Sequence, residues 1–420
     1  MKVILFLSTF IKTRYFPLKS RKAIEAYQKR ELKKQLAYFK EHAPLFKEGV
    51  DLDHFQMDKA FMMAHFDQLN TQGIHKEEAL AVAIEAEQTR DFSPKIGQIS
   101  VGLSSGTSGH RGIFLTSPRE QVMWAAAILA KLLPKGKLWR HRIAFFLRAN
   151  NNLYEGVHSP FITFRFFDME RDIASYIEDL NHYQPSLLIG PASVLRRLAS
   201  YQNEGSLHLQ PKRVYSVAEV LEDGDASYIA QAFGQDFVAQ VYQATEGFLA
   251  ATCEHGQLHL NEDIVQVQPD WIDDKRFYPI ITDLKRRSQA FLHYRLNDIL
   301  QYKDQPCPCG SVYQALEKIE GRSDDIFLFE NAQGQEVAIY PDFIRRAVLF
   351  VEGIDEYQVI QRGPDQLQVA LLGAREEEVQ AVIKELSNLL ADHAIEGVDV
   401  QSIPYAPDKK VKLKRIIKKG

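Results

Sequence analysis

Cysteine is scarce in this chain. Three residues among 420 cannot form a disulfide framework, which points to a reducing compartment. Long apolar runs are missing too: nothing approaches the roughly 18 residues needed to span a bilayer. The run 3–11 has the length of a signal-peptide core, but Lys12, Arg14 and Lys19 follow it and no small-residue cleavage site does. Neither charge sign dominates; 51 basic against 55 acidic residues give a net charge of -4, which argues against a general nucleic-acid footprint. Repeats, low-complexity segments and the G-x-x-x-x-G-K-[ST] spacing of a Walker loop are absent. These absences predict a soluble, cytoplasmic enzyme with no membrane span and no nucleic-acid partner.

The remaining composition is ordinary for a globular protein, with 45% apolar and 25% charged residues. A single core stops growing at about 250 to 300 residues, so the length predicts two domains. The most informative stretch is Ser104-Ser105-Gly106-Thr107-Ser108-Gly109-His110-Arg111-Gly112. Its glycines let main-chain N–H groups turn inward and its hydroxyls add donors, a composition suited to wrapping phosphate oxygens or to a plain solvated linker.

Hydrophobic spacing predicts helices over 20–46, 77–91 and 118–133, with a strand at 97–103 leading into the Gly/Ser loop. Strands at 143–147, 187–189, 214–217 and 237–242 then alternate with helices at 192–201 and 223–233, the pattern of a parallel or mixed sheet covered by helices. A hairpin over 248–267, turning at 255–257, and strands at 277–282 and 290–294 add an antiparallel portion. Strands at 357–361, 367–372 and 398–403 with a helix at 376–392 form a compact α+β set. The expected fold is thus a large α/β domain, residues 1–323, with mixed sheets and an antiparallel part, followed by a smaller mobile α+β domain, residues 324–420. In such folds ligands sit beyond the carboxyl ends of strands. Both the Gly/Ser loop and Tyr242-Gln-Ala-Thr245-Glu246 follow predicted strands.

All three cysteines fall in two places: Cys253 in the hairpin and the pair Cys307-Pro-Cys309. With His259 they make the Cys3His set of a closed tetrahedral zinc site, His255 being a spare ligand. Four protein ligands leave no open position, so the zinc would be structural.

Taken in order, these motifs resemble the adenylate-forming superfamily of acyl-CoA ligases, and within it the phenylacetate-CoA ligase branch and the deazaflavin-adenylylating relatives. The matching pieces are Ser104 to Gly112, Ala218-Glu219-Val220, Tyr242 to Glu246, Tyr294-Arg295-Leu-Asn-Asp298 and Gly321-Arg322-Ser-Asp324-Asp325. The resemblance implies that the Gly/Ser loop holds phosphates, Ala218 and Glu219 lie beside adenine, and Tyr242 lines the nucleotide. Thr245 would meet the α-phosphate, Glu246 would hold magnesium, Asp298 would accept from the ribose hydroxyls, and Arg322 would reach the nucleotide near the ribose. Asp324 would be the hinge. Lys412, with Lys410 as alternative, would neutralise the α-phosphate, and Tyr154 would wall the acid pocket. Zinc at similar positions occurs in some members of the branch. Two departures stand out: His110-Arg111 replaces the usual Pro-Lys pair, one residue shorter, and Leu296-Asn297 replaces Thr-Gly.

The implied reaction joins two anions, a carboxylate and ATP, and so needs cations and fixed dipoles. It would give an acyl-adenylate and pyrophosphate, after which a thiol, from CoA or the phosphopantetheine of an acyl carrier protein, takes the acyl group. An aromatic acid is what the resemblance favours. Alternatives are AMP transfer to a phenolic hydroxyl, and a non-catalytic nucleotide-binding protein.

Overall fold

A computed structural model describes residues 2–51, 54–89, 91, 93–104, 112–136, 140–147, 162–169, 171–331, 333–351, 353–354, 356–407 and 413–419. The contacts divide the chain into a large unit, Met1–Leu296 with Gln301–Lys318, and a small unit, Asn297–Leu300 with Ile319–Gly420.

The large unit opens with α1 (Lys2–Tyr15), α2 (Arg21–His42) and the single turn α3 (Pro44–Lys47). Ser20 caps α2 by accepting from Ala23 N, and Pro44 stops it because the residue before a proline is pushed out of helical geometry. The helix expected over 20–46 is therefore two. Short helices α4 (Lys59–Ala64) and α5 (Phe66–Leu69) and the longer α6 (Lys76–Thr89) lead to the strands β1 (Lys95–Ile96), β2 (Ile99–Leu103) and β3 (Ile113–Thr116). These three form an antiparallel sheet, its core made by Phe66, Ile74, Ala79, Ile99, Ile113 and Leu115. Helix α7 (Pro118–Leu132) begins at a capping box, Ser117 with Glu120, and carries Pro118 in its first turn. Its C-terminal carbonyls are held from α1, where Arg14 donates to Ala130 O, Leu133 O and Pro134 O.

Beyond α7 come β4 (His141–Leu147), β5 (Ile162–Asp168), α8 (Ile177–Tyr183), β6 (Leu187–Gly190), α9 (Ala192–Asn203), β7 (Arg213–Val217), α10 (Asp223–Ala232) and β8 (Ala239–Ala244). Strands β5, β4, β6, β7 and β8 lie side by side and parallel. Alternation along β4 sends Ala144 and Phe146 to one face, where they meet Leu188, Val214 and the apolar sides of α8, α9 and α10. At β8 the sheet changes character. The strands β9 (Gly247–Thr252), β10 (Leu258–Leu260), β11 (Val265–Trp271), β12 (Arg276–Asp283), β13 (Tyr294–Arg295), β14 (Asp298–Lys303) and β15 (Ala315–Arg322) extend it in the order β11-β12-β14-β15-β10-β9-β8. Pairing is antiparallel between β8 and β9, β9 and β10, β10 and β15, and β11 and β12. The strand expected over 290–294 forms only at Tyr294, which lies in the two-residue β13. Its apolar side chains are buried, but their backbone bonds go elsewhere, Ala290 N to Leu69 O and Asp283 N to Phe291 O.

The small unit holds the hairpin β16 (Phe327–Glu330) and β17 (Glu336–Ile339), helix α11 (Pro341–Leu349), and a sheet of β18 (Tyr357–Gly363), β19 (Gln366–Leu371), β20 (Asp399–Ser402) and β21 (Ile416–Lys418) in the order β20-β19-β18-β21. Helix α12 (Glu376–Asp392) buries Val382, Leu386 and Leu390 in this unit's own core with Tyr357, Val359 and Ile416. Among the described residues no helix is long and apolar enough to cross a membrane.

Candidate functional site

The Gly/Ser stretch joins two antiparallel strands, β2 and β3, and its mouth is tied shut. Ser104 N donates to Gly112 O at 2.8 Å, and Gly112 N donates to Ser104 Oγ at 2.7 Å. A Cβ on Gly112 would sit 3.1 Å from Met62 Cε, so glycine suits the close approach there. Ser105, Gly106, Thr107, Ser108, Gly109 and Arg111 lie outside the described residues, as does Tyr154. The stem is anchored by residues that sequence reasoning did not single out. Buried Gln289 accepts from Leu115 N and donates to Ile113 O. Ser288 Oγ donates to Leu115 O and to Glu120 Oε2, and Glu120 also accepts from the main chain of Ser117, Arg287 and Ser288. The acid of the α7 capping box thus fixes the strand that leaves the loop.

Two more of the expected segments emerge at one sheet edge, past the ends of the adjacent parallel strands β7 and β8. After β7, Ala218 takes a positive φ of 68°, and Glu219 N donates back to Val217 O. The Glu219 carboxylate accepts from Ser193 N in the first turn of α9, a favourable place for an anion. Beyond β8, Thr245 and Glu246 form the two-residue turn into β9, between the paired residues Ala244 and Gly247. Thr245 Oγ1 donates to Glu246 Oε2 at 2.8 Å, and Glu246 is buried. The turn is held from below, Arg286 Nη2 donating to Thr245 O at 2.9 Å. Tyr242 is buried within β8. A hydroxyl and a carboxylate side by side are hard oxygen donors, the kind that a magnesium ion accepts.

Arg286 also borders a cavity of about 410 Å³, whose walls include Tyr27, Trp124 and Phe248 but neither Thr245 nor Glu246. Burial pushes the Asp283 carboxyl up, opposed by the Arg286 guanidinium 3.7 Å away.

Within the small unit, Arg322 Nε lies 3.3 Å from Asp298 Oδ1, and Asp298 is buried. Asn297 Nδ2 donates to Asp324 Oδ2, and Ser323 N donates to Asn297 O. Gly321 has a φ of 137°, with Arg345 Nη2 only 3.1 Å from where a Cβ would stand. Asp325 is pushed up by burial, opposed by Lys414, whose Nζ lies 2.8 Å from it. Lys410 and Lys412 lie outside the described residues.

The cysteine reading finds its geometry within the large unit. Cys253 follows β9, His259 lies in β10, and Cys307 and Cys309 lie in the turn between β14 and β15. Their ligand atoms all lie within 4.8 Å of one another. Cys253 Sγ and Cys307 Sγ are 3.7 Å apart, unbonded, and Cys309 Sγ is 3.5 Å from His259 Nε2. Two sulfurs each about 2.3 Å from a tetrahedral zinc would be separated by about 3.7 Å, so the spacing fits. His255 N and Ser311 N point at Cys253 Sγ and Cys309 Sγ, both at 3.4 Å. The spare ligand His255 thus supplies a backbone donor, and its ring is not part of the cluster. His259 Nδ1 lies 2.9 Å from Tyr313 O, which places the proton there and leaves Nε2 to coordinate. Burial, with the neighbouring sulfurs adding to it, pushes the Cys309 thiol up to about 12, as expected of sulfurs gathered without a cation.

No protein-family model matches the sequence. The chain is 27% identical over 218 residues to Protein CapK of Staphylococcus aureus, a match covering 50% of this chain and 47% of that protein. It thus spans about half the length of that curated relative. Among solved structures, a 2-hydroxyisobutyryl-CoA ligase in the postadenylation state aligns with 97% of this chain and 91% of its own at a TM-score of 0.66 and 18% identity. The amide bond synthetase McbA from Marinactinospora thermotolerans aligns with 74% of this chain and 66% of its own, at a TM-score of 0.54 and 14% identity. The anthranilate CoA ligase AuaEII, bound to anthranoyl-AMP, aligns with 75% and 66% at a TM-score of 0.52 and 12% identity. In fold, this chain is similar to adenylate-forming enzymes of the acyl-CoA ligase type.

Proposed function

We propose that the protein activates a carboxylic acid with ATP, giving an acyl-adenylate and pyrophosphate, and then passes the acyl group to a thiol. The observation that carries this reading is the Thr245–Glu246 turn at the end of β8, its glutamate buried, beside the Ala218 turn at the end of β7. That edge is where α/β sheets bind ligands, and the fold is shared with ligases whose structures contain acyl-adenylates.

Roles follow from chemistry and from the motif resemblance. In the large unit the loop from Ser104 to Gly109, with Arg111, would cradle the outer phosphates. Arg111 would supply the cation there, though its planar fork differs from an ammonium. Thr245 would donate to the α-phosphate. Glu246 would hold magnesium, which when bound supplies charge neutralisation as the two anions meet. The Ala218–Glu219 main chain would flank the adenine, because the Glu219 carboxylate is engaged by α9. In the small unit Asp298, a carboxylate acceptor steadied by Arg322, would take both ribose hydroxyls. The small domain would be a lid pivoting at Asp324, and Lys412, or Lys410, would neutralise the α-phosphate. Tyr154 would wall the pocket of an acid, most simply an aromatic one. CoA, or a carrier protein's phosphopantetheine, is the thiol. Cys253, His259, Cys307 and Cys309 would hold one structural zinc that ties the β9–β10 turn to the β14–β15 turn.

The test is mass spectrometry of products after incubation with ATP, magnesium and a mixed acid library, with and without CoA. A thioester that forms only with CoA supports the proposal. An AMP ester of a phenol selects AMP transfer instead, and ATP binding without pyrophosphate release identifies a non-catalytic protein.

A further inference from the structure

Helix α1 is apolar on two sides, and only one of them is used. Phe10 is buried, and Arg14 clamps the helix against the end of α7 through three carbonyls, so its orientation is fixed. The solvent-facing side shows Val3 (69% exposed), Ile4 (74%), Leu7 (50%), Ile11 (45%) and Tyr15 (55%), with Phe16 (70%) just beyond. At about 100° per residue, positions 3, 4, 7, 11 and 15 fall within an arc of about 120°. Among the described residues twelve large hydrophobic side chains are exposed, and these six account for half of them. The surplus is therefore concentrated on one stripe rather than scattered, which marks an interaction surface.

The charge around the stripe has one sign. Residues 1–24 contain Lys2, Lys12, Arg14, Lys19, Arg21 and Lys22, and the first acidic residue is Glu25. Arg14 is engaged by α7 and Arg21 by Glu262, and Lys12 lies over the Tyr27 ring. Lys2 in the first turn of α1, Lys19 beyond its end and Lys22 in the first turn of α2 are exposed. We propose that α1 is a peripheral membrane element that lies flat on an anionic lipid bilayer, with Val3, Ile4, Leu7 and Ile11 among the acyl chains and the lysines at the headgroups. An apolar stripe along a helix of about 21 Å, with aromatics at its C-terminal end and only basic charge in residues 1–24, matches a surface that is apolar beneath and anionic above. The inference does not depend on the ligase reading.

The test is co-sedimentation of the full chain with vesicles of phosphatidylcholine alone and of phosphatidylcholine with about one third phosphatidylglycerol. Binding to the anionic vesicles, weakened by high salt, is expected. The variant Leu7→Glu/Ile11→Glu should lower partitioning at least tenfold, and Lys19→Gln/Lys22→Gln by about fivefold per lysine. All four positions are exposed, so unchanged melting is expected, and the lysine variant decides the matter should the glutamates disturb folding. The proposal is overturned by absence of sedimentation with anionic vesicles or by equal sedimentation of both variants. It is also overturned if the stripe instead mediates a dimer, or capture of an acidic carrier protein, that Leu7→Glu/Ile11→Glu abolishes while the wild type ignores lipid.

Discussion

Arg286 reaches the carbonyl oxygen of Thr245 across 2.9 Å while its Nε stands 3.7 Å from Asp283. The guanidinium is buried, stacked near the rings of Trp124 and Phe291, and joins the antiparallel half of the sheet to the turn that carries Thr245 and Glu246. It is thus a positioning residue. Arg286→Met should free that turn and leave Asp283 buried without its partner, costing about 3 kcal/mol of stability and lowering kcat/KM for pyrophosphate release about tenfold or more. Arg286→Lys keeps the charge but loses the fork, and should recover stability better than rate. Denaturant unfolding and pyrophosphate release on the same samples check the split. Equal recovery of both by lysine would show that only charge matters.

Glu246 takes a hydrogen bond from Thr245 and is the buried carboxylate at the end of β8. Removing its charge with Glu246→Gln keeps the shape, so the melting temperature should change little while adenylate formation falls by about a hundredfold or more. Raising magnesium should restore part of the loss if the carboxylate's task is to hold that ion. A Glu246→Gln enzyme with full activity would remove the proposed site.

The sheet was legible because its strands and helices alternate in length and apolar pattern, and α7 because Ser117, Pro118 and Pro134 punctuate it. Other elements gave little signal. Strand β3 has only four residues and follows the Gly/Ser stretch directly, so the loop read as leading straight to a helix, whereas β2 before it and β3 after it pair antiparallel. Apolar residues at 290–294 looked like a strand because burial alone does not reveal where backbone bonds go. Helix α1 was hidden because an apolar run with two apolar faces lacks the single stripe that marks an amphipathic helix. Ser288 and Gln289 were missed since polar residues that anchor a distant loop leave no local pattern. The cysteines were readable, as so few of them left little choice of partner.

Glu31 on α2 offers a pH test. Burial alone would raise its carboxyl, but the hydrogen bond from Lys34, the charge of Lys285 and the contact from Arg30 hold it near about 2. An acid depressed in the folded state adds stability above its unfolded value, and that contribution fades as pH falls toward the folded value. Wild type should therefore be more stable than Glu31→Gln at pH 6, and the gap should close by more than half on descending to about pH 3. Urea unfolding of both proteins across that range measures it. A gap that is constant with pH would assign the difference to something other than this carboxylate.

The Cys3His cluster predicts about one zinc per chain on elemental analysis of protein purified without added metal. Because the sulfurs come from two separate turns, the ion would cross-link them, and its loss should act on stability more than on chemistry. Cys309→Ser removes one thiolate from a closed four-ligand site, so zinc content should fall well below one and the melting temperature should drop by several degrees. His255→Ala, outside the cluster, should keep the metal. Treatment with a strong chelator should lower the wild-type melting temperature toward that of Cys309→Ser and leave the variant unmoved. Retention of full zinc in Cys309→Ser, or insensitivity of both proteins to chelation, would mean that these four side chains meet for packing and hold no ion.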